Sequence, residues 1–278
     1  MSSSYSLYLR RLIFAVFIFS LSSCSIKQKP NIKKRYEVVY KSIASESLCE
    51  NCPMRIPKIF HRVWMVWDTK NPEIPPLYKM LDYALKKHHP DWEFMEWNDN
   101  SINEFVKKYY PEFWPIFDSY DVAVKKHDAF RYLVIHHYGG VFIQHSIMVY
   151  KNLEPLLRGY DAVFSEQSIV DNTICNGFFG SVKKHKILRE IIKNLPKIKD
   201  RHILQATGPY VASHFVHEYF KKNRLGNVLI LSPKYLFPFD WNQKNQEPYF
   251  SSCIKSLTKC RELFPESFGY CFWSASWN

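Results

Sequence analysis

The stretch from Asp121 to Ser146 constrains this chain more than any other. A helical run through His137 meets Gly139-Gly140, and the chain passes directly into Val141-Phe142-Ile143, which reads as a short buried strand. A helix handed over to a buried strand through two glycines is a unit of α/β architecture. The handover sets Gln144, His145 and Ser146 at the C-terminal end of that strand, where open α/β sheets bind ligands. If the chain keeps alternating, His145 points away from Gln144 and Ser146. Within the helix, Asp128 and Arg131 are three residues apart and share a face. On spacing alone that is a surface ion pair worth at most ~0.5 kcal/mol.

The flanking pattern agrees with an α/β sheet. Ile59, His61 and Val63 alternate with Phe60, Arg62 and Trp64 as a first strand, with Pro57 at its mouth. Leu77, Met80, Leu81, Ala84 and Leu85 give helical spacing over 76–88, closed by Pro90. Residues 92–97 alternate as a second strand. Ser101 is the expected cap of a helix to Tyr109, with Glu104 completing a capping box. Strands are expected over 162–164, 174–180 and 228–231, and helices over 186–195 and 210–222. Strands alternating with helices predict a mostly parallel central sheet flanked by helices, in one domain over residues 55–278.

The first 24 residues read as an address. Arg10-Arg11 precede an apolar run from Leu12 to Leu21, and Leu21-Ser22-Ser23-Cys24 resembles a bacterial lipobox. An uncleaved, Golgi-type single-pass anchor is the competing reading, although the run is shorter than the ~20 residues that usually span a bilayer. Both readings put the domain in an extracytoplasmic space at a membrane. Residues 25–54 read as a tether.

The compartment suits disulfides. Cys49 and Cys52 form a lone CxxC that suggests a structural bridge rather than a zinc site, and Cys253, Cys260 and Cys271 can supply one more, with the pairing open. The formal charge of +12 comes from 38 Lys and Arg against 26 Asp and Glu. The basic residues are scattered as pairs and no zinc-finger or RRM signature accompanies them, so no nucleic-acid partner is expected. No P-loop, GxGxxG or nucleophile elbow is present.

Six segments in order resemble glycosyltransferase family 32. They are Ile56-Pro57-Lys58-Ile59 through Trp64, Asp128 to Arg131 with Tyr132, Tyr138-Gly139-Gly140-Val141-Phe142, Leu153-Glu154-Pro155-Leu156, Asn176-Gly177-Phe178-Phe179 and Thr207-Gly208-Pro209, before a closing Trp273-Ser274-Ala275-Ser276-Trp277. The resemblance implies a GT-A-like, Rossmann-related domain that moves a hexose from a nucleotide-diphosphate sugar (UDP- or GDP-linked) to a hydroxyl of a glycan or lipid. It implies that Trp64 stacks on the base and that Asp128 and Arg131 contact ribose, sugar or phosphate. Gly139, Gly140, Gln144 and Ser146 would line the same site. Trp273, Ser276 and Trp277 would form a C-terminal wall of the cleft.

The family's next element is Asp-x-Asp, which holds Mn²⁺ or Mg²⁺ against the diphosphate. Its two positions fall on Gln144 and Ser146, and neither carries a charge. The family's His-His near the C-terminus is replaced by Cys271 and Phe272. Hard divalent cations prefer carboxylate oxygen, so no metal site is expected. Three readings follow: metal-independent transfer with Lys125, Lys126 and Arg131 as candidate diphosphate contacts; a softer metal at His145; or a catalytically inactive module that binds sugar nucleotide, glycan or protein. No catalytic carboxylate is assignable from the sequence, and for a retaining enzyme front-face attack assisted by the donor phosphate is the expected chemistry.

Overall fold

The computed structural model describes residues 48–49, 51–64, 74–168, 172–222, 227–239, 252–253 and 256–273, all within the compact unit Ser42–Asn278. The address expected over 1–24, most of the expected tether, and Ser276 and Trp277 lie outside the described residues.

β1 (Ile59–Val63) leads to α1 (Pro76–His88), β2 (Glu93–Trp97), α2 (Asp99–Tyr109), α3 (Trp114–Asp118) and α4 (Ala123–Tyr138). Next come β3 (Gly140–Ile143), β4 (Ile147–Val149), α5 (Glu154–Leu157), β5 (Ala162–Glu166) and β6 (Ile174–Ser181). The described chain is completed by α6 (Lys186–Ile198), α7 (Ile203–Ala206), α8 (Pro209–Lys222), β7 (Val228–Leu231), α9 (Leu257–Leu263) and β8 (Gly269–Cys271).

The central sheet has the order β2-β1-β3-β6-β5-β7. β1 runs parallel to both β2 and β3, and β5 runs parallel to β7. β6 is antiparallel to both of its neighbours, so five strands share one direction and β6 alone is reversed. β3, β5, β6 and β7 are buried along their whole length, the signature of a sheet covered on both faces. This is the α/β architecture, a mostly parallel central sheet flanked by helices, that the sequence pattern predicts. α6 packs on α4 and α8, and these two pack on β6, so the three helices form a covering layer.

Local chemistry sets the boundaries. α1 opens with Pro76 after Pro75, where a fixed φ and a missing N–H cost nothing, and closes on Lys86, Lys87 and His88, which suit the negative end of the helix dipole. The cap of α2 is Asn98 rather than Ser101. Asn98 Oδ1 accepts from the Ser101 amide at 3.0 Å while Ser101 Oγ accepts from the Asn98 amide at 3.0 Å. Ser101 is therefore the inner partner of the capping box, two residues inside the helix start. α4 ends on Gly139 (φ 69°), followed by Gly140 (φ 94°). A Cβ on Gly140 would fall 2.5 Å from the Ile59 carbonyl oxygen, so β3 reaches β1 only because that position is glycine.

Among the described residues two apolar clusters bear on the site. The larger one runs under the sheet through Phe60, Val141, Ile143, Val163, Phe178, Leu229 and Leu231, with Leu48 and Met54 packed against it. A satellite cluster gathers Leu81 of α1, Met148 of β4, Cys260 of α9 and Tyr270 of β8 around a second, two-stranded sheet, in which β4 and β8 pair antiparallel. Disulfides join Cys49 to Cys52 and Cys253 to Cys260, and Cys175 and Cys271 are the buried thiols among the described residues.

Candidate functional site

β1 and β3 run side by side, and their C-terminal ends deliver Trp64 and the turn Gln144–Ser146 to the same end of the sheet. The two sides of that turn meet different surroundings. Gln144 Nε2 donates to the Cys271 sulfur at 3.3 Å, and Ser146 Oγ lies 3.6 Å from the same sulfur. The register that pairs Ile147 with Cys271 in the β4–β8 sheet brings the thiol there, and the Trp273 amide donates to it as well, at 3.4 Å. Two stretches far apart in sequence, 144–146 and 271–273, therefore form one neutral contact. Gln144 also lies across Gly177, where a Cβ would fall 2.3 Å from its Oε1, and its amide donates to the Gly177 carbonyl at 2.9 Å.

His145 points the other way, as alternation predicts. Its Nδ1 donates to Asp82 of α1 at 3.0 Å, and its Nε2 stands 3.7 Å from Glu96 Oε2 at the end of β2. Asp82 also pairs with Arg62 at 2.5 Å, and that arginine side chain is only 1% exposed. Burial works against the Asp82 carboxylate, yet the His145 hydrogen bond and the Arg62 charge hold its pKa below the ordinary value. Burial, with Arg62 adding to it, lowers the pKa of His145, so the ring is neutral with its proton on Nδ1. The Trp64 indole stands edge-on to His145 and Tyr78, each 5.4 Å away by ring centroids, and its backbone amide donates to Trp97 O at 3.0 Å.

Asp128 and Arg131 do form an ion pair, 2.9 Å long, but it is buried rather than superficial. α4 is enclosed by its covering layer, so the pair faces β6 instead of water. Arg131 lies over the Phe142 ring at 4.9 Å and donates to the Asn176 carbonyl at 3.3 Å. Burial raises the Asp128 pKa, with the Arg131 charge opposing it. Hydrogen bonds from the Asn176 and Thr207 side chains also oppose that rise, and Arg131 Nε is buried without a hydrogen-bond partner among the described residues. Asn176 and Gly177 link this pair to Gln144.

Of the remaining expected site residues, Lys125 and Lys126 lie elsewhere, and Trp273 reaches the Cys271 sulfur through its backbone amide. Lys125 pairs with Asp121 at 2.9 Å and donates to the Lys199 carbonyl at 3.2 Å. Lys126 lies 3.6 Å from Asp118. Both are in the first turn of α4, already matched with carboxylates. Trp273 donates from its indole to the Phe239 carbonyl at 3.0 Å and packs on Phe237. Sequence reasoning missed Asp82, Glu96 and the meeting of Cys271 with Gln144 and Ser146. The helical spacing of α1 put Asp82 beside buried Leu81 and Leu85, which was the available signal.

The donor set around Gln144 and Ser146 is an amide, a hydroxyl and a thiol, and no carboxylate joins them. Among the described residues no group of three His, Cys, Asp or Glu could hold a metal ion. These residues do not fit a hard divalent cation.

Similarity to known proteins follows the same segment. The family model described as a glycosyltransferase sugar-binding region containing a DXD motif matches residues 78–163. Inositol phosphoceramide mannosyltransferase 1 of Schizosaccharomyces pombe is 31% identical over 169 residues, 58% of this chain and 51% of its own. Mannosyl phosphorylinositol ceramide synthase SUR1 of Saccharomyces cerevisiae is 31% identical over 212 residues, 72% of this chain and 53% of its own. An uncharacterized glycosyltransferase, L373 of Acanthamoeba polyphaga mimivirus, is 26% identical over 239 residues, 77% of this chain and 90% of its own. The chain spans about half the length of the two yeast relatives.

Proposed function

With a domain of the glycosyltransferase family 32 type as the premise, we propose that this chain transfers a hexose from a nucleotide-diphosphate sugar to a lipid or glycan hydroxyl without a divalent cation at Gln144 and Ser146. The matched segment contains Asp128, Arg131, the double glycine and the Gln144–Ser146 turn. Relatives named for mannosyl transfer to an inositol phosphoceramide support a lipid acceptor and a mannosyl donor. The observation that carries the metal-free reading is the neutral contact of Gln144 and Ser146 with the Cys271 sulfur.

The leaving diphosphate still needs positive charge as the glycosidic bond breaks. Arg131 is the cation best placed to supply it. It is one peptide unit from the Gly177 contact of Gln144, and its buried Nε has a donor to spare. Lys125 and Lys126 are less suited, because they hold Asp121 and Asp118 at the first turn of α4, whereas Arg131 donates to the Asn176 carbonyl beside Gly177. Trp64 is assigned to the nucleotide base, Asp128 to orienting Arg131, and Trp273, Ser276 and Trp277 to the wall of the cleft. Residues 1–24 are assigned to holding the domain at a membrane on its extracytoplasmic side.

The test is donor turnover by the full chain with UDP- and GDP-hexoses, in Mn²⁺ and separately in EDTA. Equal turnover in both is the expected result, with Arg131→Ala abolishing it. Turnover that requires Mn²⁺ overturns the metal-free reading. Donor binding with no turnover in either condition leaves a binding module.

A further inference from the structure

α1 is bound to the site on one side and bare on the other. Its inner face buries Leu81 and Leu85 and sends Asp82 to His145. Its outer face exposes Leu77, Met80 and Tyr83, with Tyr83 67% accessible, among the exposed lysines Lys79, Lys86 and Lys87. Only three acyl-like or aromatic groups on one helix would be ordinary surface. The neighbouring element repeats the pattern, however. α9 exposes Leu257 and Leu263 beside Lys259 and Arg261, with Glu262 the one acidic residue there.

Both helices belong to the satellite cluster around the β4–β8 sheet, and the Arg261 charge is felt at His88, the last residue of α1. Five of the eight large apolar side chains exposed among the described residues thus sit on these two helices. Isolated exposed leucines need no explanation, but apolar side chains interspersed with lysine and arginine are what an anionic bilayer surface selects. The apolar groups enter the headgroup region while the long basic side chains extend to the phosphates.

We propose that the outer faces of α1 and α9 form a docking surface for an anionic lipid bilayer, and that docking presents a membrane-held acceptor to the site. The second half of this inference rests on the transferase reading above; the first does not. Charge complementarity selects the occupant. The exposed charges of the two helices are Lys79, Lys86, Lys87, Lys259 and Arg261 against Glu262, within a chain of formal charge +12. The link to function is mechanical, because the helix that touches lipid also holds the half-buried Asp82 carboxylate that braces His145 in the site turn.

The expected N-terminal anchor would bring the full chain to vesicles by itself, so the test must report position. An environment-sensitive fluorophore is attached to the full chain at Met80→Cys and, as a control, at Glu190→Cys on α6. Each is mixed with phosphatidylcholine vesicles with and without phosphatidylglycerol. A severalfold rise in emission at position 80 with phosphatidylglycerol, and none at 190, is expected. Reversing the three α1 lysines (K79E, K86E, K87E) should weaken the response by on the order of tenfold or more. Position 80 remaining silent while the chain cosediments with vesicles overturns the proposal. So does a rise at position 80 without vesicles as the protein is concentrated, which would assign the surface to a second copy of the chain. Transfer to a soluble acceptor is measured in parallel. Docking without any transfer would sink the transferase reading and leave the docking surface standing.

Discussion

The two sides of the Gln144–Ser146 turn are built to opposite rules. Behind the turn, His145 joins Arg62, Asp82 and Glu96, four ionisable side chains in contact or nearly so. In front of it, Gln144 and Ser146 meet one neutral sulfur. A chain of the family pattern would have its negative charge in front, for a metal. Here the charged groups of the turn are on the far side, where they hold the turn in place. The comparison teaches that the brace which positions a strand end can be separate from the groups which that end presents at the front of the turn.

Three measurements would break or sharpen this contrast. The largest effect is expected from Asp82→Ala. It leaves the Arg62 guanidinium buried without its carboxylate, and breaking such a pair costs about 3–5 kcal/mol. Urea unfolding should show that loss; a change below about 1 kcal/mol would mean that the charged side is not a brace.

Acid should come next. Burial lowers the pKa of His61, beside Arg62 in β1, to about 4, with its hydrogen bond to the Gly139 carbonyl opposing the shift. The unfolded chain takes up that proton first, so stability is complete above pH 6.5 and declines as the pH falls towards about 4. His61 alone accounts for a loss on the order of 3 kcal/mol. His145, lowered in the same direction, adds to the loss, whereas the front of the turn has nothing that titrates in this range. Unfolding curves between pH 7 and 4 measure the decline, and a flat profile would contradict the buried, neutral histidines.

The smallest effect belongs to Cys271→Ser. A hydroxyl can replace the thiol as a partner for Gln144 and Ser146, so about 1 kcal/mol or less is expected. A loss as large as that of Asp82→Ala would erase the distinction between the two sides.

Much of this was legible in the chain. The Pro76–His88 helix, the glycine pair and the opposed direction of His145 follow from local periodicity, since each is decided by residues a few positions apart. The depth of Asp128–Arg131 was not legible. A helix enclosed by a layer of other helices shows little amphipathic contrast, and spacing reports which residues share a face without saying what covers it. The β4–β8 sheet was invisible for a related reason. Its strands are three residues each, Ile147–Val149 and Gly269–Cys271, and they meet only because the fold returns the C-terminus to the site. With that return went the meeting of Cys271 with Gln144. The cap at Asn98 was missed because Ser101 and Asn98 satisfy each other reciprocally, and either residue alone resembles a cap.

Arg62 also bears on the order in which the molecule assembles. A guanidinium keeps its proton at any ordinary pH, so the last residues of β1 cannot enter the interior as an apolar strand would. They can be enclosed only when Asp82 arrives, twenty residues later along the chain. Completion of β1 and docking of α1 are therefore expected to be one cooperative event. That event precedes any use of the site, since the same carboxylate then fixes His145. Separating Arg62 from Asp82 leaves a buried charge unpaired, so the strand end and the helix beside it are held to one another.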